Sequence, residues 1–247
     1  MTSYHQRFLA GEHAQVWAEL GRLAPAGTEA PAGTEAAAGA VDADDVAAVA
    51  DETMRRVAVH VRRIAGALQE FGLVSSRPLH LPPTGAELAD LPRLEAEIGG
   101  LPAALSACLR NVGQVMFTGD CPVLGITYEE MEPEDTPLPD PLVIPGVEWL
   151  RQAWDDHRDA YGDPGPFRFT FSPDDLTKAN ISGLSYDIDL PSGAIDPPLI
   201  GVTWRTGPIT LVEYLRTSIA WGGLPGWSTA PDDAPAELDR LRVVPDF

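Results

Sequence analysis

The chain has 247 residues, 44% apolar and 22% charged, which is ordinary usage for a folded protein long enough to bury a substantial core. Its 17 basic against 37 acidic side chains leave a formal charge of −20, which argues against general affinity for nucleic acid or anionic lipid, because both reward a basic face. No apolar run approaches the ~20 residues of a membrane span, and two cysteines cannot build a disulfide framework or a four-thiolate zinc site.

Ser3 and Gln6 have the spacing of a capping box, and Phe8, Leu9, His13, Val16, Trp17, Leu20 and Leu23 then recur along one helical face. Residues 24–41 break this pattern with PAGTEA in tandem, at 25–30 and 31–36, and predict a surface loop that tolerates insertion. A second helix is predicted over 43–71. Asp42 caps it, Asp44 and Asp45 complement its dipole, and Val46, Val49, Thr53, Val57, Val61, Ile64, Leu68 and Phe71 form its stripe. Gly72 is its natural stop. The two helices are expected to pair as an antiparallel hairpin. Arg55, Arg56, Arg62 and Arg63 read as its solvated face rather than as a binding patch.

From Ser75 onward proline and glycine recur every few residues. Thr84 with Glu87 and Leu101-Pro102 start two further helices, the second expected to stop near Gly113. Strand character appears over 114–118, 141–144, 167–171, 186–190 and 199–204. In Phe167-Arg168-Phe169-Thr170-Phe171 the alternation predicts a sheet with one buried face. Helices are predicted over 147–159 and 210–221. The proline-rich segment after Gly226 predicts a loosely attached acidic strap. Irregular connections between strands disfavour a doubly wound sheet. The expected fold is α+β: a mostly antiparallel twisted sheet covered by helices, preceded by an N-terminal helical hairpin. The expected division is 1–74 for the hairpin, 75–228 for the α+β domain and 229–247 for the tail.

Familiar catalytic signatures are missing. There is no glycine-rich phosphate loop, no serine nucleophile elbow and no HExxH helix. His5, His13, His60, His80 and His157 are scattered, so no metal and no cofactor is expected. Cys108 reads as a core residue. Cys121 reads as an exposed thiol with no base beside it. The acidic run Glu129, Glu130, Glu132, Glu134, Asp135 and Asp140 lacks the spacing of a calcium loop, since Pro133, Pro137 and Pro139 interrupt it. It suits instead an electrostatic face for a basic partner. Asp174, Asp175, Lys178 and Asn180, in the polar stretch 172–183, either present themselves to a partner or form a capped turn. Trp221 and Trp227 bracket a glycine-rich turn that is a core lid or a sticky patch.

The stretch Leu101-Pro102-Ala103-Ala104-Leu105, followed by Leu109, Val112, Gly113, Val115, Phe117 and Gly119, resembles the entry motif of the SUKH superfamily, the cell-wall assembly regulator and immunity-protein fold. There a leucine–proline opens a helix that ends in glycine before the first strand. The resemblance covers roughly residues 98–223, and the hairpin and the DDLTKAN segment are additions to that family's pattern. It implies a bacterial, cytoplasmic, non-catalytic protein that binds and neutralises a basic toxin domain. The candidate contact residues are then Glu129, Glu130, Glu132, Glu134, Asp135, Asp174, Asp175, Lys178, Asn180 and Trp227. Two rivals stand beside it: an enzyme with an acidic site at Asp174, Asp175, Asn180 and His157, and a scaffold that holds an endogenous peptide on a sheet edge or its tryptophan face.

Overall fold

The computed structural model describes residues 2–23, 42–126, 138–162, 165–202 and 207–247. The tandem hexamer and the acidic run 129–135 lie outside the described residues. The first helical stripe forms two short helices rather than one. Helix α1 (Tyr4–Leu9) starts where the Ser3 hydroxyl accepts the Gln6 N–H, at 3.1 Å, and α2 spans His13–Leu20. Between them Gly11 adopts φ +99°, a left-handed conformation that no continuous α-helix contains. Together α1 and α2 make an N-terminal helical hairpin.

Helix α3 (Ala43–Glu70) follows, capped by Asp42 on the Asp44 N–H at 3.0 Å, with the whole predicted stripe from Val46 to Leu68 buried. Side-chain hydrogen bonds hold the hairpin on it. The Asp45 carboxylate accepts the Tyr4 N–H at 2.6 Å, and the Trp17 indole donates to Thr53 at 3.0 Å.

Strand β1 (His80–Leu81), α4 (Gly85–Ile98) and α5 (Ala103–Asn111) lead to β2 (Gln114–Met116) and β3 (Val143–Ile144). The Thr84–Glu87 capping box that opens α4 is complete, with both reciprocal hydrogen bonds formed. Then come α6 (Val147–Tyr161), β4 (Phe167–Ser172), the single turn α7 (Asp175–Lys178), β5 (Tyr186–Leu190), β6 (Pro198–Leu199), β7 (Ile209–Thr210) and α8 (Leu211–Ala220). The fold is α+β with antiparallel pairing throughout the described strands. The sheet, however, is divided. β1, β2 and β3 form one small sheet, β4 and β5 a second, and β6 and β7 a third that touches β5 through an Asp187–Ile200 bridge. Strands of two or three residues and a proline without an N–H at position 198 leave too few ladder bonds for one continuous sheet. Along β4 the phenylalanines Phe167, Phe169 and Phe171 point inward and Arg168 faces water, as alternation requires.

One apolar core runs from Phe8 on α1 to Phe247, and α3 packs on both α5 and α8. The strap after Gly226 is not loosely attached. Leu238, Leu241 and Phe247 are buried, and the strap is held by the face of α3 that sequence suggests is merely solvated. Arg56 donates to the Asp246 carbonyl at 2.6 Å, Arg63 to the Leu241 carbonyl at 2.9 Å, and His60 lies 2.8 Å from the Asp246 carboxylate. Cys121 is likewise buried, not exposed, so burial pushes its thiol up. Burial pushes the Cys108 thiol up to about 12. Both are core residues.

The β1–β2 pairing depends on a close approach at Gly113. Its φ is +77°, and a Cβ there would overlap the Leu81 carbonyl oxygen and lie 2.8 Å from the Pro83 ring. Gly113→Ala is expected to lower stability by about 2 kcal/mol or more, from left-handed strain plus the clash. Denaturant unfolding measures this directly. A loss below about 0.5 kcal/mol would mean that the turn relaxes freely.

Candidate functional site

The polar stretch 172–183 folds around a buried ion pair. Asp174 caps α7 by accepting the Thr177 N–H at 2.7 Å, which turns the last residue of that turn, Lys178, into the core. Lys178 is the only lysine in the chain. Its ammonium donates to Asp140 Oδ1 at 2.7 Å and to the Tyr214 hydroxyl at 3.1 Å. The Tyr186 hydroxyl donates to Asp140 Oδ2 at 3.2 Å, and the two tyrosine rings meet edge to face with centroids 5.8 Å apart. The ammonium stands 5.0 Å from the Tyr186 ring centroid and 5.8 Å from that of Tyr214. Lys178 and Asp140 have no side-chain exposure. Burial disfavours the ammonium, yet Asp140 and Tyr214 outweigh it and hold Lys178 above its usual range. Burial pushes the Tyr214 phenol up to about 12.

This knot ties α7, β5, α8 and the segment before β3 together, and of the two readings of the stretch it removes Asp174 and Lys178 from the partner-facing one. Lys178 and Asp174 are buried and their polar atoms are spent inside the protein. Asp175 is half-buried, and burial, followed by the neighbouring Asp140, raises its carboxyl. Asn180 is exposed at φ +61°. Trp227 is half-buried against the core, with its indole nitrogen shielded from water. His157 stacks among Trp154, Tyr161 and Phe167. Glu129, Glu130, Glu132, Glu134 and Asp135 lie outside the described residues.

A different site opens between α2 and α8. A cleft of about 250 Å³ has Trp17 and the small residues Ala14, Ala18 and Gly21 on the α2 side, with Asp196, Thr210, Glu213 and Arg216 opposite. At Ala14 and Arg216 it meets a wider groove of about 460 Å³ that runs past Trp221 to Phe247. The Thr210–Glu213 capping box sets the start of α8, and Asp196 accepts the Val212 N–H there at 3.0 Å. One turn further, Arg216 Nε donates to the Phe247 carbonyl at 2.7 Å. Its Nη2 is buried and makes no hydrogen bond among the described residues.

Burial perturbs Asp196 and Arg216 in this cleft. Burial pushes the Asp196 carboxyl up to about 7, against the Thr210 hydroxyl and the Val212 N–H, which pull it down. Burial lowers Arg216, although Asp196 and Glu213 attract its charge. His13, 3.1 Å from Arg56, is held below its usual value by burial and by that guanidinium. Sequence reading missed Asp196 and Arg216. The only local signals were an aspartate ahead of Pro197-Pro198 and the Thr-x-x-Glu box at 210–213.

Among the described residues no three His, Cys, Asp or Glu side chains converge to hold a metal ion, and no helix is long and apolar enough to cross a membrane. No family model, no curated protein and no solved structure matches the chain.

Proposed function

We propose that this protein is a non-catalytic, cytoplasmic binding protein of the immunity type, whose acidic surface captures and neutralises a basic toxin domain. The observation that carries this reading is how the charges are spent. Several basic groups are engaged internally: Arg7 pairs with Glu12 and Glu19, Arg56 with Glu52, Arg151 with Asp90, and Lys178 with Asp140. Acidic groups exceed them by a formal charge of −20, and Asp156, Asp159, Asp232, Asp233 and Glu237 stand in water. Such a surface repels nucleic acid and accelerates encounter with a cationic protein. The resemblance to the SUKH superfamily points the same way. The rival acidic enzyme site finds less support, because Asp174 is consumed as a helix cap and His157 sits in an aromatic stack.

The test is association with the product of any toxin gene found beside this one, followed at low and high salt. The on-rate is expected to fall by about tenfold or more as salt rises, because screening removes the steering. An on-rate indifferent to salt, or no binding at all, would overturn the proposal.

A further inference from the structure

The strap is anchored at Leu241 and Phe247, but between these points it lies beside space that it does not fill. The groove of about 460 Å³ is lined by Pro245 and Phe247 of the strap together with His13, Thr217 and Trp221. A second groove, of about 430 Å³, is lined by Val243, Val244 and again Pro245. Both touch Ala220 of α8, and Val244 is 90% exposed. Among the described residues, the strap beyond Arg242 makes no backbone-to-backbone hydrogen bond. A segment held without such bonds opens at a lower free energy than the core it covers.

Side chains of α3 and α8 hold it instead. Arg63, Arg56 and Arg216 donate to the carbonyls of Leu241, Asp246 and Phe247. Every peptide has carbonyls, so the three arginines fix the course of an extended chain and not its sequence. Two contacts are selective. The Asp246 carboxylate lies 2.8 Å from His60 Nε2, and the buried Phe247 ring has its centroid 6.0 Å from that of His60. Carbonyls, carboxylate and ring together describe a peptide ligand that the chain supplies to itself. Charge agrees: Arg56, Arg63 and Arg216 line this track in a chain of −20, and Glu52 offsets one of them by pairing with Arg56. A second copy at −20 is repelled, which favours a different protein as the competitor.

We infer that the strap is a displaceable cover on a peptide-docking groove, whose other occupant is an extended segment of a partner protein with a carboxylate directly before an aromatic side chain. The covalently tethered strap competes at a high effective concentration, so the groove stays closed to all but a well-matched segment. This groove is separate from the acidic docking surface, and either proposal stands if the other fails.

The test uses the full chain and a fluorescent peptide with the sequence of residues 240–247, followed by polarisation. In the protein, Asp246→Ala removes the carboxylate from the strap and keeps its carbonyl, and the Asp246 side chain is 61% exposed, so the core is left intact. The variant is expected to bind the peptide about tenfold or more tightly than the parent, the worth of one hydrogen bond to a charged group. Tryptic cleavage after Arg242 is expected to speed by a similar factor, because it tracks the opened population. Arg63→Gln added to the variant is expected to weaken the peptide, as is alanine in place of the peptide's own aspartate or phenylalanine. No binding to Asp246→Ala, equal binding by variant and parent, or indifference to Arg63→Gln and to the alanine peptides overturns the inference. A dimer of the Asp246→Ala protein in light scattering would give the groove to a second copy's strap and overturn the partner reading.

Discussion

Replacing Lys178 by methionine is expected to cost about 3–5 kcal/mol, a large fraction of what holds a domain together. The substitution removes the ammonium from a site with no exposure and deprives the Asp140 carboxylate of its 2.7 Å partner and the Tyr214 hydroxyl of its 3.1 Å donor. Burying a charge without its counter-charge is the expensive event, so Asp140→Asn alone is expected to cost a similar amount by stranding the ammonium. Asparagine is the right probe at 140 because the backbone there has φ +50°, which Asn tolerates. The double variant is expected to recover part of the loss, since two neutral groups need no counter-charge. Denaturant unfolding of the four proteins closes the cycle. The chain has one lysine, so an amine-reactive reagent supplies a second readout, with Lys178 labelled only when the knot opens. A Lys178→Met cost below about 1 kcal/mol, or labelling at the rate of a free amine, would show the pair to be dispensable.

What was legible in the sequence is what short-range chemistry dictates. Asp42 beside Asp44, Thr84 with Glu87, and the alternation from Phe167 to Phe171 each state their structure within a few residues, and each forms as expected. The α+β class follows from them. Lys178 was illegible for the opposite reason. Its neighbours Asp174, Asp175, Thr177 and Asn180 are polar, and local context reads such a stretch as surface. Its burial is imposed by Asp140, 38 residues earlier, and by tyrosines on β5 and α8. The arginines of α3 show the same limit. Arg56 and Arg63 look solvated until a strap nearly two hundred residues away places its carbonyls on them. Gly11 alone decides that one amphipathic stripe becomes two helices, and periodicity is blind to a single φ. The cleft at Arg216 exists only because α2 and α8 come to line one space, a neighbourhood that neither helix announces.

Stability is expected to fall as pH rises from about 4 through 7, a trend set by Asp196. Its carboxyl titrates at about 7 in the folded protein against 3.8 ordinarily, so the native state keeps a proton that the unfolded chain releases. A raised carboxyl stabilises the fold below its unfolded value and loses that contribution as pH climbs through the folded value. At 1.36 kcal/mol per unit the ceiling is about 4 kcal/mol, reduced by whatever water the cleft admits. Asp196→Asn keeps an oxygen for the Val212 N–H and carries no charge. It is therefore expected to unfold like the parent near pH 4, to exceed it near pH 8, and to flatten the profile between. Asp246 acts in a separate window and with the opposite sign. Burial raises its carboxyl, but the hydrogen bond and charge of His60 prevail and hold it below 3.8, so its grip on the strap is lost only under acid. The Asn variant should leave that acid limb untouched. If Asp196→Asn retains the parent's slope through neutrality, the carboxylate is already at ease in the cleft.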